Sequence, residues 1–452
     1  MAHAPLLIVI LAAGKGTRLK SAAPKVLHKI AGRSMLGHVL DLARAARSDS
    51  LAVVVGPGMA EVEAETLKSA PEAKVYVQER QLGTADAVLA ARAAIGQHRG
   101  DVLVLYADTP LIEKATIARL MGALDQGAGI AVLGFHAENP GSYGRLITET
   151  DGTLIAIREA RDASAAETAI GFCNSGVMAF RLDNLLEVLG AIGNANAKGE
   201  YYLTDAVEVV RRLGGRAVAI ECSENEVLGV NARGELAAAE AIWQRRARER
   251  IMAEGATLIA PETVWLSFDT EVGSDVLIEP NVFFGPGVTI GDGAEIKANC
   301  HIEGAHIGRN ARIGPFARLR PGAALGDKVH IGNFVEVKNV VMGEGAKANH
   351  LSYLGDGAVG AGSNIGAGTI FCNYDGFLKH RTVIGAGAFI GSNTALVAPV
   401  RIGDGAYIGS GSVITKDVAA DALALERGAQ EERPQWAAKF RALMAKRKAK
   451  AG

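Results

Sequence analysis

The sequence predicts two dissimilar domains in one chain, an α/β domain built on a mostly parallel sheet and then a parallel β-helix. Three observations predict this. Short β-branched apolar runs alternate with alanine-rich helical stretches through the first half. From Val272 onward an apolar residue recurs at every sixth position. Glycine becomes much denser after Gly255, where Ala, Leu and Arg dominate before it. A length of 452 residues suits two or three domains, and 49% hydrophobic residues with 21% charged suit buried cores. The net charge of -1 gives no general reason to expect nucleic acid or a membrane as partner. No stretch reaches the roughly 18 apolar residues of a membrane span. The apolar start near Leu6 runs into a loop of glycines and cations, which does not read as a signal peptide. Cys173, Cys222, Cys300 and Cys372 form no C-x-x-C pair, so free thiols of a cytoplasmic protein are expected, with neither disulfides nor zinc.

The first apolar run, Leu6–Ile10, predicts a buried parallel strand. It breaks into Leu11–Lys25, LAAGKGTRLKSAAPK. Glycines at this point let backbone approach a ligand and turn N–H groups toward phosphate oxygens. Lys15, Arg18 and Lys25 add three cations, which suit a polyphosphate better than a single carboxylate. The dinucleotide fingerprint G-x-G-x-x-G fails, because Leu19 stands at its third glycine. The G-x-x-x-x-G-K-[ST] phosphate loop also fails, because Gly14-Lys15-Gly16-Thr17 matches only its tail. An ordinary strand-to-helix turn with surface cations is the plain alternative, and the closing Pro24-Lys25 argues against it. The whole pattern resembles the signature of sugar-nucleotide pyrophosphorylases, with Leu19 in place of the usual methionine.

Further strand-like runs occupy Leu51–Val55, Lys74–Val77, Val102–Tyr106 and Gly129–Phe135, with helical stretches such as Gly37–Arg47 and Gly83–Ile95 between them. In such sheets ligands bind beyond the strand C-termini. Gln78–Thr84, QERQLGT, offers two amides and a Gly-Thr turn there, suited to the edge of a base. Asp108 follows Tyr106-Ala107 at another strand end. It can hold a Mg²⁺ ion that bridges phosphates, or cap the turn before Thr109-Pro110. Tyr143-Gly144-Arg145, Glu159 and Asn174-Ser175-Gly176 combine small and polar residues that can admit a sugar.

The order LAAGKGTR, PKVLH, QLGTADA, YADTPL, GSYGR, NSG, GEYYLTD and GVNAR resembles the N-terminal half of the bifunctional bacterial enzymes that make UDP-N-acetylglucosamine. These join an N-acetylglucosamine-1-phosphate uridyltransferase to a glucosamine-1-phosphate acetyltransferase. The resemblance implies a Rossmann-like nucleotidyltransferase domain over residues 1–231. It implies that Leu11, Ala12, Ala13 and Gly14, with Gln78, Gly83 and Thr84, hold the uridine of UTP beside Tyr106 and Ala107. By the same resemblance Lys25, Gly144, Glu159 and Asn174 hold the sugar phosphate, and Asp108 with Asn231 binds Mg²⁺. Where these enzymes usually carry Tyr-Gly-Asp, Ala107 places a methyl group next to the nucleotide. The implied reaction is attack by a sugar-phosphate oxygen on the α-phosphorus of UTP, with pyrophosphate leaving. It needs no protein nucleophile, only positioning and the charges of Mg²⁺, Arg18 and Lys25.

Residues 232–254 are strong helix formers closed by Gly255, which predicts a helical linker. Its Arg245-Arg246-Ala247-Arg248 run lies beside Glu249 and Glu254, so a solvated helix is expected rather than an RNA contact. In residues 255–452 the period of six runs through Val272, Ile278, Phe284, Ile290, Ile296 and Ile302. It slips by one to Ile307 and continues to Val337. After an irregular stretch it returns at Leu354, slips to Val359 and reaches Phe371. It resumes at Ile384 after the insertion Cys372–Thr382 and ends at Ile414. Each hexad is expected to make one flat side of a triangular coil, with the sixth side chain inside.

The pattern breaks at Asn349–Leu354, NHLSYL, and His350 is the clearest candidate base there. The hexad phase places His301, His306 and His330 at different points around the coil, so they do not predict a metal cluster. The motifs RLRPG, FVEVK, HLSYLGD, NIGAGT and NYDG resemble the hexapeptide-repeat acetyltransferase half of the same enzymes. The resemblance implies a left-handed coil, a homotrimer with sites between subunits, and His350 as the base toward the amine that attacks acetyl-CoA. An imidazole suits that task at neutral pH. Arg320, Lys338, Tyr353 and Asn364 are implied to bind glucosamine 1-phosphate. Ala367, Asn373, Tyr374, Ser392, Ser410 and Arg427 are implied to line the acetyl-CoA site, with Ser410 at a place where alanine is expected. Glu336 is expected to orient His350. The basic tail Arg433–Lys450 reads either as a cover for CoA phosphates or as a solvated end. Two rival readings are a pyrophosphorylase whose β-helix only assembles it, and a non-enzymatic scaffold. His350, Tyr353 and NYDG weigh against the first, and the intact loop with Asp108 against the second.

Overall fold

The computed structural model describes residues 4–14 and 16–451; Lys15, one of the three loop cations, lies outside them. The chain divides into two compact units, Met1–Arg250 with Leu266–Phe268, and Ile251–Trp265 with Asp269–Gly452.

The first unit is organised by one twisted sheet. Its strands are β1 (Leu6–Leu11), β2 (Ser50–Val55), β3 (Lys74–Val77), β4 (Asp101–Tyr106), β5 (Ile130–His136), β6 (Arg145–Thr148), β7 (Leu154–Arg158), β8 (Phe172–Phe180) and β9 (Ala217–Cys222). The order is β9-β5-β8-β4-β1-β2-β3, with the β6–β7 hairpin attached through β8. β1 lies parallel between β2 and β4. All six of its residues are buried, as a strand covered on both faces requires. Leu6, Ile8 and Ile10 enter one apolar layer, and Leu7, Val9 and Leu11 enter the other. Helices close both faces. One of them, Met35–Ala45, begins where the Ser34 hydroxyl accepts the Gly37 N–H at 3.0 Å.

Three features differ from the sequence expectation. The helix expected over Gly83–Ile95 is two short helices, Thr84–Ala90 and Arg92–Gln97, meeting at Ala91. β8 is antiparallel to both β4 and β5. Its register shifts between Asn174, still paired with Gly134, and Met178, an irregularity that leaves Ser175, Gly176 and Val177 out of the ladder.

The second unit is a parallel β-helix. The pairings Ile278↔Ile296↔Ile313↔Ile331↔Ala348↔Ile365↔Ile390↔Ile408 run up one face. A second face carries Val272↔Ile290↔Ile307↔Leu325↔Met342↔Val359↔Ile384↔Ile402. A third carries Phe284↔Ile302↔Leu319↔Val337↔Leu354, then Phe371↔Leu396↔Ile414. Nearly all of these side chains are fully buried; Val272, in the first coil, is only partly so. The stretch between Val337 and Leu354 is regular after all, because Met342 and Ala348 fill the two missing interior positions. Their chemistry hid the period, since Ala348 carries no aliphatic signal. Helices Arg233–Ala253 and Trp436–Ala451 flank the coil in sequence. The four cysteines are free.

Ile331 sits with 0% exposure in the middle of the first face, so truncation there leaves a void that the closed coil cannot collapse into. Ile331→Ala is expected to destabilise the β-helix by about 2–5 kcal/mol in denaturant unfolding. A loss below about 1 kcal/mol would show the interior to be looser than described.

Candidate functional site

The first cluster forms where β1 and β4 end side by side, with Leu11 paired to Tyr106. The chain beyond each strand is tied at once: Ala12 N–H donates to Val54 O at 2.8 Å, and Ala107 N–H to Leu11 O at 3.0 Å. A cleft of about 320 Å³ opens there. It is lined by Leu11, Ala12, Ala13 and Gly14, by Gln78, Gly83 and Thr84, and by Lys25, Tyr106 and Asp108. Gln81, Val26, Ala87 and Glu200 complete the wall. Gln81 donates to Ala13 O at 2.7 Å and so braces the loop. Its amide stood in the QERQLGT motif, but no signal separated it from Gln78.

Two glycines make this geometry possible. Gly16 has φ +61°, and a Cβ there would lie 2.3 Å from the Lys25 Cβ, so only glycine lets the Lys25 stem pass. Gly83 has φ +128°, and a Cβ would lie 2.5 Å from the Tyr201 carbonyl oxygen. Lys25 is therefore led inward and is only 7% exposed. Its Nζ donates to Asp108 Oδ2 at 2.5 Å and to Asn231 Oδ1 at 2.6 Å. Asp108 and Asn231 are held together by their own backbone, since Val230 N–H donates to Asp108 O at 2.9 Å. The two oxygens thus converge on one cation, the arrangement a small divalent ion with phosphate and water as its other ligands requires. No group of three or more His, Cys, Asp or Glu that could hold a metal occurs among the described residues.

Gly144, Glu159 and Asn174 also come together. Asn174 N–H donates to Gly144 O at 2.8 Å, and a Cβ on Gly144 would lie 3.4 Å from Glu159 Oε1. Burial pushes the Glu159 carboxyl above its ordinary range. Burial, then the charges of Asp108 and Glu159, push the Tyr106 phenol up. Gly176, with φ +92°, leaves room for the Tyr106 ring, which a Cβ would approach to 2.9 Å. Arg18 is exposed on the short turn Thr17–Leu19 and does not line the cleft. The Ala107 methyl, expected next to the nucleotide, is instead fully buried in the apolar layer with Ile8, Ile10 and Ala12. Residues alternate sides along a strand end, and Ala107 takes the core side while Tyr106 and Asp108 take the cleft.

The second cluster is built by the ladder of the β-helix. Asn333 pairs with His350 in the next coil, and His350 Nδ1 lies 2.7 Å from Asn333 Oδ1. With that oxygen as acceptor, Nδ1 carries the hydrogen and Nε2 presents a lone pair to solvent. A cavity of about 430 Å³ beside them is lined by His330, Asn349 and the exposed, stacked rings of Phe316 and Phe334. The expected orienting residue, Glu336, is engaged elsewhere. Its Oε1 accepts from Arg320 at 2.8 Å, because the ladder sets Arg318 opposite Glu336 and Arg320 beside it. Asn333 had been hidden in an otherwise plain hexad, IGNFVE, and only the coil register brings it to His350.

Across the Leu351 corner the next face gathers charge. Lys338, next to Arg320 in the ladder, lies 3.4 Å from Asp356 Oδ1. Asp356 also accepts from Asn339 at 2.8 Å and Asn373 at 2.6 Å. Lys338 holds the neighbouring Lys379 ammonium below its ordinary pKa. A Cβ on Gly355 would lie 2.5 Å from the Tyr353 hydroxyl and 2.8 Å from Asn373 Nδ2, so this glycine keeps Tyr353 and Asn373 together.

His350 also begins a vertical row. Its carbonyl accepts from Gly368 N–H at 3.2 Å, that of Ala367 from Asn393 at 2.7 Å, and that of Ser392 from Gly411 at 2.8 Å. Ser410 O accepts from the Arg427 guanidinium at 2.9 Å. Ala367, Ser392, Ser410 and Arg427 therefore stack above His350 at one corner of successive coils. From His350 to Ser410 the row spans three coil steps, roughly 14 Å at about 4.8 Å each. Ser410 takes part through its backbone, so serine in place of alanine changes little. Asn364 stands on the face above Lys347. In the insertion Tyr374 is 60% exposed, and the Asp375 carboxylate is held well below its usual range by the Leu378 N–H, then His380 and the Phe377 N–H. His301, His306 and His330 lie on three different faces.

The two units have separate family matches. The model of the MobA-like NTP transferase domain matches residues 8–177. That of the bacterial transferase hexapeptide (six repeats) matches 269–304, 304–339 and 381–416. The chain is 60% identical to the bifunctional protein GlmU of Azorhizobium caulinodans, over 99% of this chain and 100% of that protein. It is 58% identical to the bifunctional protein GlmU of Xanthobacter autotrophicus, over 99% and 100%. It is 54% identical to that of Agrobacterium fabrum, over 95% and 94%. Matched along its whole length at this identity, with a nucleotidyltransferase-like cleft in one unit and a hexapeptide coil in the other, the chain belongs to the family of bifunctional GlmU proteins.

Proposed function

We propose that this chain makes UDP-N-acetylglucosamine in two steps, acetyl transfer from acetyl-CoA to glucosamine 1-phosphate and then uridylyl transfer from UTP to the N-acetylated product. The observation that carries the reading is that one chain holds both clusters, Lys25 with Asp108 and Asn231, and His350 with Asn333. Residues 1–231 are assigned to uridylyl transfer, 232–254 to a helical linker, and 255–452 to acetyl transfer.

In the first reaction site the loop Leu11–Gly14, Gln78, Gly83 and Thr84 bind the uridine, and Gly144, Glu159 and Asn174 bind the sugar. Asp108 Oδ2 and Asn231 Oδ1 are the oxygens that would hold Mg²⁺, which when bound neutralises phosphate charge. Lys25 contributes its positive charge to the transferring and leaving phosphates, and Arg18, exposed on the turn after the loop, is assigned to the leaving pyrophosphate once nucleotide is bound. The walls of the cleft orient the attacking oxygen in line with the leaving pyrophosphate.

In the second, Arg320 and Lys338 bind the phosphate of glucosamine 1-phosphate, and Tyr353 and Asn364 its sugar. His350 Nε2 takes a proton from the amine as the C–N bond forms and the C–S bond of the thioester breaks. Coenzyme A leaves as its thiol. Asn333 holds the ring so that Nε2, not Nδ1, faces the amine. Acetyl-CoA lies along Ala367, Ser392, Ser410 and Arg427, with Asn373 and Tyr374 at its side. We further infer a cytoplasmic homotrimer, because the coil leaves flat faces that one chain cannot cover and because the insertion projects Phe377, 92% exposed.

Asp108→Ala is expected to lower Mg²⁺-dependent UDP-sugar formation by about 10²–10³, the usual cost of one charge-stabilising group, while acetyl transfer is kept. Near-normal uridylyl transfer would refute the assignment. His350→Ala is expected to lower acetyl transfer by about 10²–10⁴. Asn333→Ala should lower kcat for acetyl transfer by about 10–100-fold, the range of an orienting partner, with little change in KM for the sugar phosphate. Equal kcat in wild type and Asn333→Ala would remove Asn333 from the mechanism.

A further inference from the structure

The Lys25 ammonium stands where a metal ion would stand. It is bound to Asp108 Oδ2 at 2.5 Å and Asn231 Oδ1 at 2.6 Å, the two oxygens assigned above to Mg²⁺. It cannot drift away without cost, because Lys25 is 7% exposed and its stem is seated against Gly16. The backbones that carry the two oxygens are tied in place. Asp108 O accepts from Val230 N–H at 2.9 Å, and Asn231 N–H donates to Glu235 Oε2 at 2.5 Å. A divalent ion and an ammonium cannot share one pair of oxygens, since their charges repel at close range in a partly desolvated site.

We propose that Lys25 is the resident counter-ion of the Asp108–Asn231 pair, and that a divalent cation gains this pair only when nucleotide phosphate draws the ammonium away. The Lys25 side chain has the means to do this. Its Cβ, Cγ and Cδ are packed against Gly16, and Nζ at the end of the stem turns toward phosphate oxygens that replace both lost acceptors. The charge in the cleft is then balanced in both states, by the lysine before nucleotide arrives and by lysine plus metal against the triphosphate afterwards. The metal would thereby be kept from binding unproductively to the empty cleft. The inference rests on the reading of Asp108 and Asn231 as metal ligands given above.

The test uses the full chain and Mn²⁺ as probe, with bound and free ion distinguished by electron paramagnetic resonance and no nucleotide present. Lys25→Met and Lys25→Gln are expected to bind Mn²⁺ at least tenfold tighter than the unsubstituted chain. Lys20→Gln, which removes an equal charge from the same loop, should leave Mn²⁺ affinity unchanged. Adding Asp108→Asn to Lys25→Met should abolish the gain. Mn²⁺ affinity no higher in either Lys25 variant, or raised equally by Lys20→Gln, overturns the proposal. If it fails while UTP still brings Asp108-dependent Mn²⁺ binding to the unsubstituted chain, the metal reading stands and only the exchange is lost. If no variant shows Asp108-dependent binding even with UTP, the metal reading itself has failed. A measurement without substitution guards against misfolded variants: the ¹⁵N resonance of the Lys25 ammonium should hold its place on addition of Mg²⁺ alone and move on addition of UTP. Movement with Mg²⁺ alone overturns the proposal.

Discussion

The nearly buried ammonium of Lys25 is the constraint that organises the nucleotide-binding end of the first unit. It joins three segments remote in sequence: the loop after β1, the end of β4 at Asp108, and the Gly229–Asn231 turn. A buried cation without partners is costly, and breaking one side of such a pair costs about 3–5 kcal/mol. The loop must therefore take the one path that delivers Lys25 to both oxygens. Gly16 is the residue that permits that path, and the parallel pairing of Leu11 with Tyr106 supplies its starting point. The cleft is in this sense a consequence of satisfying one charge.

The second unit solves the same problem by repetition. Each coil sets a residue directly above its counterpart in the coil below, so a side chain's neighbours are fixed by register rather than by a unique loop. His350 meets Asn333 for this reason, and Arg320 meets Glu336 and Lys338. The sixth-position residues inside the coil are apolar, and the buried hydroxyls of Ser363, Thr369, Thr394 and Ser412 between them are satisfied by backbone carbonyls. The clustered polar groups stand at outward positions, and Ala367, Ser392 and Ser410 stack at one corner.

Much of this was legible in the sequence because the signals were local. The run LLIVIL can only be a strand covered on both sides, and the spacing of Ile290, Ile296 and Ile302 admits a β-helix and little else. The loop LAAGKGTR with Pro24-Lys25 marked the place where the cleft opens. What was not legible depended on which residues the fold brings opposite one another. Glu336 is nearer His350 in charge chemistry, yet the ladder gives it to Arg320 and gives Asn333 to the imidazole. Ala107 was expected against the nucleotide and lies in the core, because the side taken by a residue at a strand end follows from the pleat. β8 was not legible because the small polar Asn174, Ser175 and Gly176 break its apolar run into pieces too short to read.

The two clusters therefore differ in how substitution reaches them. In the first unit the polar atoms are few and shared, so a change at Gly16 acts on the path of Lys25, and a change at Gly83 acts on the wall facing Tyr201. In the coil a change acts mainly on the residue one turn above or below. Gly332 shows how strict that vertical contact is, since a Cβ there would lie 1.9 Å from the carbonyl oxygen of Asn349, the residue before His350. A glycine with no polar function of its own thus sets the height at which the imidazole stands over Asn333. In each unit the clustered polar groups are positioned by glycines whose identity follows from backbone clearance rather than from chemistry.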